Sequence, residues 1–147
     1  MNATTRPTPS FRLDDYPFRL TDNVRYGDLD PNQHVNNAVY GTYFETARVT
    51  LLRSGDRGLM PAGLSWMLVH LAIDFRAEMH WPGHFELGIG VKKLGRTSAT
   101  FAQIVIADGI CTASAEAVTV LVDVHTRKPS PLTAEIVAGF QPWMLRA

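Results

Sequence analysis

The sequence predicts an α+β domain in which one long helix covers one face of an antiparallel sheet. In the first half of the chain, apolar residues recur with the 3.6-residue period of an α-helix, at Tyr40, Tyr43, Phe44, Ala47 and Leu51. In the second half, apolar and polar residues alternate with the two-residue period of β-strands, and turn residues separate the alternating segments. One helix and one sheet must bury their apolar faces against each other, which gives this architecture.

The first strand and the helix are separated by a loop. The strand is expected from Phe18 to Tyr26, and residues 28–34 are rich in Asp, Asn and Pro, which favour turns. Asn36 or Asn37 can cap the helix by accepting a backbone N–H, and Gly55 suits its end, where a left-handed residue is common. The predicted helix has about 16 residues and a length of about 24 Å at about 1.5 Å per residue.

Four further strands joined by hairpins are expected after the helix. The first presents one apolar face, formed by Met67, Val69, Leu71, Ile73, Phe75 and Ala77. The inward face of the second consists of Phe85, Leu87, Ile89 and Val91. The third strand covers residues 101–107, a turn follows at Asp108-Gly109, and the fourth strand covers residues 111–124. Residues 132–140 are expected to form a short closing helix.

Length, charge and composition restrict the function classes. The chain has 147 residues, about one domain, with 14 basic and 14 acidic side chains. This balance argues against a nucleic-acid-binding protein and against a polybasic membrane-surface protein. The single cysteine, Cys111, excludes an intramolecular disulfide and a multi-thiolate metal site.

The ends of the chain and its hydropathy suggest a cytoplasmic protein without a membrane span. Residues 1–10 are rich in Thr, Ser and Pro and contain no apolar signal region, so we expect a flexible arm there. No apolar run approaches the roughly 20 residues that a membrane helix needs. Residues 11–147 show one composition regime and no internal repeat, and are expected to form a single domain.

One segment carries a recognisable combination of motifs. Residues 25–48 read RYGDLDPNQHVNNAVYGTYFETAR. This segment resembles the signature of the hotdog-fold acyl-CoA thioesterases, and in particular the 4-hydroxybenzoyl-CoA thioesterase branch, which carries an aspartate in the loop before the central helix. The resemblance implies a hotdog fold, with a five-stranded antiparallel sheet wrapped around a long central helix. It also implies hydrolysis of an acyl-CoA to a free acid and coenzyme A.

The same resemblance assigns roles to residues of the loop and the helix start. Asp30 matches the family's catalytic aspartate, which attacks the thioester carbonyl or activates water. Asn37 falls where the family's helix begins, so its backbone N–H would point at the thioester oxygen. Physical chemistry agrees, because a helix N-terminus offers unpaired N–H groups to a developing oxyanion. The family's usual glycine before the histidine is Gln33 here, which puts the conformation of the loop in question.

Four neighbouring side chains have a functional and a structural interpretation. Asp28 is expected to be an exposed turn residue, with tuning of Asp30 as the alternative. His34 either orients the loop and contacts substrate or is hydrogen-bonded into the helix entrance, and the sequence favours neither. Glu45 is better explained by an i,i+3 ion pair with the arginine at position 48 than by catalysis. Tyr40 is expected in the core, touching the acyl pocket.

A basic and hydroxyl-rich cluster is expected at a hairpin connection. It comprises Lys92, Lys93, Arg96, Thr97 and Ser98. In similar hotdog proteins the corresponding connection lies near the nucleotide end of coenzyme A, so these residues are candidates for substrate binding. A solvated hairpin tip explains them equally well.

The expected partners follow from the resemblance and from the strands. No metal or redox cofactor is expected, and coenzyme A enters as part of the substrate. The resemblance implies a homodimer whose sheets join edge to edge, with active sites at the interface, or a homotetramer of such dimers. Long apolar edge strands also need covering. The competing hypothesis is a non-catalytic hotdog protein that binds an acyl-CoA as a sensor or carrier.

Overall fold

The computed structural model describes residues 11–146 and contains one five-stranded antiparallel sheet with two α-helices. The expected arm at residues 1–10 lies outside the described residues. The elements are β1 (Phe18–Asn23), α1 (Val39–Arg53), β2 (Leu64–Phe75), β3 (His84–Leu94), β4 (Ser98–Ala107), β5 (Ile110–Asp123) and α2 (Ala134–Phe140). The strand order across the sheet is β1-β3-β4-β5-β2. The predicted α+β architecture is therefore confirmed.

Helix α1 lies against one face of the sheet and buries the predicted stripe. All five stripe residues are at most 2% exposed, and the inward residues of β3 are at most 1% exposed. Fully burying one such large apolar side chain contributes roughly 1.5–3 kcal/mol, so this contact contributes substantially to stability. The helix has 15 residues, which corresponds to about 22 Å. Within residues 11–146, no helix is long and apolar enough to cross a membrane.

The prediction that all four later strands are joined by hairpins is wrong for β2 and β3. β2 pairs with β5 at one edge of the sheet, whereas β3 lies between β1 and β4. Residues 76–83 therefore cross from the edge to the interior of the sheet and pass the loop before α1. Local turn residues do not distinguish such a crossing from a hairpin, because pairing partners are chosen by the packing of the whole sheet.

The predicted apolar face of β2 is correct only in its second half. Leu71, Ile73 and Phe75 pair with buried alanines of β5 and lie on the helix side. The strand register shifts between Leu68 and His70. Met67, which precedes this shift, therefore lies on the opposite face of the sheet from Leu71, Ile73 and Phe75. A bulge adds one residue to a strand, and a one-residue slip exchanges the two faces.

Strand β2 leaves one edge without a neighbour in the described chain, since it ends the strand order. Three consecutive apolar side chains on this strand are substantially exposed: Met67 at 46%, Leu68 at 44% and Val69 at 60%. An exposed apolar edge of this length is a ready template for pairing with another strand. The edge lies close to the candidate site, because the last residue of β2 forms part of its wall.

Candidate active site

The loop between β1 and α1 is a closed turn with Asp30 and His34 at its base. The Asp30 N–H donates to the His34 carbonyl over 3.0 Å, and the Gln33 N–H donates to the Asp30 carbonyl over 3.0 Å. Leu29 and Val35 pair on either side as an isolated antiparallel bridge. These bonds fix the backbone on both sides of Asp30, so the direction of its side chain is set by the loop.

The Asp30 carboxylate has one oxygen held by the backbone and one beside a histidine. Oδ1 accepts the Asn32 N–H over 2.8 Å, which is a short local turn. Oδ2 lies 3.9 Å from Nδ1 of His34, and the two side chains are 18% and 24% exposed. A partly buried carboxylate with one oxygen fixed and the other available can serve as a nucleophile or a general base.

Gln33, which stands where the resembling family usually has glycine, adopts a backbone conformation that favours glycine. Its φ is 67°, in the left-handed region that most side chains avoid. Holding a non-glycine residue there costs on the order of 1 kcal/mol. Gln33 therefore occupies a conformation that a glycine at this position would also adopt readily. His80 helps to hold the position, because its Nδ1 lies 3.3 Å from the Gln33 carbonyl.

The N–H of Asn37 is available at the entrance of α1. Its neighbours are engaged: Ala38 donates to the Asn36 side chain over 3.0 Å, Val39 to the Asn36 carbonyl over 2.9 Å, and Tyr40 to the Asn37 carbonyl over 3.3 Å. Among the described residues, Asn37 is the one at this entrance whose N–H has no acceptor. The predicted cap by Asn36 or Asn37 is not found, because the N-cap residue is Ala38 and has no side-chain cap bond; Asn36 instead accepts the Ala38 N–H in the turn before the helix. The free donor is the amide expected to face a ligand.

A cavity of about 220 Å³ opens beside this free amide. It is lined by His34, Val35, Asn37, Tyr40, Phe75, Ala77 and Glu78. Three predicted site residues, His34, Asn37 and Tyr40, line this cavity. Asp30 does not line it, and its Oδ2 lies 3.9 Å from Nδ1 of His34. Tyr40 is 2% exposed, its ring is 5.6 Å from that of Phe75, and its hydroxyl has no hydrogen-bond partner within residues 11–146.

Sequence reasoning missed the wall that the end of β2 and the following loop contribute. Phe75, Ala77 and Glu78 reach the cavity because β2 ends beside the entrance of α1. The carboxylate of Glu78 also lies 3.6 Å from Nε2 of His80. No sequence motif marks these residues, since their position depends on the crossing of residues 76–83.

The basic cluster is far from this cavity within one chain. Strand β3 continues to Leu94, so Lys92 and Lys93 lie on the strand rather than in the connection, and Arg96 is in the turn. Strand β3 starts near the cavity loop and its 11 residues span about 33 Å, so the cluster is at the other end of the sheet. Lys92 also lies 3.5 Å from Oε1 of Glu116. One chain therefore does not bring the cluster together with Asp30.

Arg48 does not form the expected ion pair with Glu45. Arg48 turns into the core, is 4% exposed and donates to Oε1 of Gln103 over 3.0 Å, so the expected ion pair with Glu45 is not among those of the described chain. Burial lowers the pKa of the Arg48 guanidinium. Across residues 11–146, no three His, Cys, Asp or Glu side chains converge in a way that could hold a metal ion.

The family model of the thioesterase-like superfamily matches residues 24–140. This chain belongs to the thioesterase-like superfamily. The match begins after β1, just before the candidate loop, and ends with α2, so it includes strands β2 to β5 and all residues that line the cavity. The predicted resemblance to hotdog thioesterases is thereby confirmed.

Relatives of this thioesterase-like chain cover most of its length. The acyl-CoA thioester hydrolase YbgC of Escherichia coli is 29% identical over 128 residues, which are 84% of this chain and 96% of YbgC. A thioesterase from Thermus thermophilus, solved with coenzyme A and Zn, is 26% identical with a TM-score of 0.77, covering 87% of this chain and 94% of that one. A Pseudomonas aeruginosa protein gives a TM-score of 0.81 at 24% identity, over 91% of this chain and 96% of its own, which supports the fold.

Proposed function

We propose that this chain is an acyl-CoA thioesterase that releases a free acid and coenzyme A. The observation that carries the proposal is that Asn37, whose N–H has no acceptor among the described residues, lines a cavity together with His34, and that Nδ1 of His34 lies 3.9 Å from Oδ2 of Asp30. The names of YbgC and of the Thermus thermophilus thioesterase, which was solved with coenzyme A, support acyl-CoA as the substrate class.

The proposed reaction adds water across the thioester C–S bond. The Asn37 N–H hydrogen-bonds to the carbonyl oxygen as negative charge develops on it, aided by the positive end of the α1 dipole. Acting as a general base, Asp30 takes a proton from water as the water oxygen attacks the carbonyl carbon. The tetrahedral intermediate then expels the thiolate, which receives that proton. Acting as a nucleophile, Asp30 would instead attack the carbonyl carbon and expel the thiolate, which leaves a mixed anhydride. Water then hydrolyses the anhydride to the free acid and the Asp30 carboxyl, which gives its proton to the thiolate.

Thiol release from a panel of acyl-CoAs tests this function. We expect time-dependent release of free coenzyme A with at least one short, medium-chain or aromatic acyl group, measured with a thiol-reactive chromophore. Binding of acyl-CoAs without release across the panel would contradict the proposal and favour the sensor or carrier hypothesis.

We further propose that two copies pair through the free edge of β2 to form a homodimer. The exposed side chains of Met67, Leu68 and Val69 support this edge as the contact, because pairing would cover them. A two-fold axis across the edge places the start of the partner's β2 beside Phe75 of this chain. Ser98 of the basic cluster and Met67 near the start of β2 both pair with Val120 of β5, so the cluster lies at the same end of the sheet as the start of β2. In the dimer, the partner's basic cluster therefore lies at the same end as the cavity of this chain.

Placing a charge on this edge is expected to separate the copies. Val69→Lys should convert a dimer into a monomer, because burying an unpaired ammonium at a strand contact is unfavourable. Sedimentation velocity measures the change, and thiol release should fall along with the dimer fraction. Val137→Lys, an exposed valine of α2, is the matched control. A dimer that persists in Val69→Lys would contradict pairing through this edge.

The basic cluster is expected to act on binding rather than on chemistry. Removing two cations with Lys92→Ala and Arg96→Ala should raise KM for an acyl-CoA by about tenfold and leave kcat unchanged, because the phosphates of coenzyme A are distant from the bond that breaks. The rise should shrink at high salt. An unchanged KM would leave the cluster as a solvated hairpin.

A further inference from the structure

Asp28 has a side chain that the proposed reaction does not use. The sequence suggested an exposed turn residue, but Asp28 is half-buried and one of its carboxylate oxygens is doubly occupied. Oδ2 accepts the Tyr43 hydroxyl over 2.6 Å and the Arg25 N–H over 2.9 Å. A hydrogen bond of that length to a carboxylate belongs to the strong, charge-assisted class.

The donor of the shorter bond is fixed in the core. Tyr43 is 1% exposed, and its ring lies 4.4 Å from that of Phe85 and 5.8 Å from that of Tyr40. Burial, with a further contribution from Asp28, raises the pKa of the Tyr43 hydroxyl, so it stays protonated and remains a donor. A rigid point on the second turn of α1 therefore holds the beginning of the loop.

Asp28 connects this fixed point to both sides of the candidate site. Its carbonyl accepts the Asn36 N–H over 2.9 Å, and Asn36 is the residue before the free amide of Asn37. Asp30 follows Asp28 by two residues along the chain, so Asp28 is connected to Asp30 through the backbone and to Asn36 through this hydrogen bond. One residue thus restrains the two groups, a carboxylate and an N–H, whose relative position determines whether they can act on one carbonyl.

We infer that Asp28 and Tyr43 are positioning residues that set the distance between the Asp30 carboxylate and the Asn37 N–H. This inference rests on the proposed thioesterase function. It assigns Asp28 a geometric role, distinct from the alternative in which Asp28 is a second catalytic carboxylate. The occupied Oδ2 supports the geometric role, because that oxygen already accepts two hydrogen bonds.

Removing the Tyr43 hydroxyl is expected to lower kcat and to leave substrate binding nearly unchanged. Tyr43→Phe keeps the ring in its aromatic contacts and deletes the bond to Asp28, and a misplacement near 1 Å can cost about 10²-fold in rate. We expect kcat to fall between about 10-fold and 10²-fold with KM within about twofold. A Tyr43→Phe enzyme with unchanged kcat would overturn the inference.

A matched control separates positioning from a general loss of stability. Thr133→Val deletes another side-chain hydroxyl bond, the 3.1 Å cap on the Ile136 N–H at the start of α2. Both variants are expected to lose a few degrees of melting temperature, but Thr133→Val should keep kcat. Equal losses of kcat in the two variants would overturn the inference in favour of a stability effect.

Two substitutions of Asp28 distinguish geometry from charge. Asp28→Asn retains an oxygen that can accept both hydrogen bonds, so kcat should stay within about fivefold and its pH profile should be unchanged. Asp28→Ala removes the acceptor and should match Tyr43→Phe. If Asp28→Asn were as impaired as Asp28→Ala, the charge itself would be required and the positioning role would be wrong.

Thiol release by the natural chain and by Tyr43→Phe distinguishes failure of the positioning role from failure of the thioesterase function. Failure of the natural chain to release thiol from any acyl-CoA would refute the thioesterase proposal itself. If instead the natural chain releases thiol and Tyr43→Phe does so at the same kcat and KM, the positioning role alone is refuted.

Discussion

Asp30→Asn is expected to lower kcat for thiol release by about 10²–10⁴-fold, the range that a positioned general base contributes. The amide has nearly the same size and can still accept the Asn32 N–H that now binds Oδ1. It can neither take a proton from water nor form an anhydride, so both versions of the proposed reaction fail. Initial rates under saturating acyl-CoA measure the loss.

The control for Asp30→Asn is a carboxylate outside the loop. Asp14 is 77% exposed and lies before β1, so Asp14→Asn should keep the full rate. Circular dichroism and the melting temperature should show that both variants are folded. Equal kcat for Asp30→Asn and the natural chain would contradict the assignment of Asp30.

Asn37→Pro is expected to lower kcat by about 10²–10³-fold, the usual cost of losing one oxyanion donor. Proline removes the N–H without adding charge, and Asn37 precedes the first residue of α1, so no hydrogen bond within the helix depends on its N–H. Because this N–H has no acceptor among the described residues, its removal breaks no hydrogen bond of the fold. Stability should therefore change much less than the rate.

The comparison with Asn37→Ala isolates the backbone from the side chain. Alanine keeps the N–H, and the exposed Asn37 side chain has no hydrogen bond among those found in residues 11–146, so Asn37→Ala should retain most of the rate. If alanine and proline reduced kcat equally, the side chain or the helix start as a whole would be responsible, and the backbone donor would lose its role.

The helix and its buried face could be predicted from the sequence because both depend on local periodicity. The five stripe residues and the inward residues of β3 are buried as expected. The closing helix was predicted at residues 132–140 and is found at Ala134–Phe140, where Thr133 caps it. In each case neighbours three or four residues apart, or alternate residues along a strand, contain the information.

The position of β2 could not be predicted from local patterns. Its pairing with β5 depends on contacts about 50 residues away in the chain, and the bulge after Leu68 changes the face of Met67 without a glycine or proline to mark it. The same long-range pairing brings Phe75, Ala77 and Glu78 to the cavity. The missing part of the candidate site is thus the part that depends on sheet order.

The loop was predictable in its residue types but not in its hydrogen bonds. Asp30, His34 and Asn37 were identified by resemblance, and their roles stay predictions. The bond between Asp28 and Tyr43 joins residues 15 positions apart, and it forms because the loop folds back along α1. Neither residue carries a sequence signal of that contact, since a tyrosine on the apolar stripe is explained by packing alone.

The left-handed backbone at Gln33 determines which substitutions this position can accept. Glycine, asparagine and aspartate can occupy a φ of 67°, whereas valine, isoleucine and threonine would clash with their own backbone. Position 33 can therefore be occupied by glycine or by one of a few polar residues without changing the path of the loop. A search pattern that demands glycine before the histidine would pass over this chain, although its glutamine occupies the left-handed conformation that glycine adopts readily.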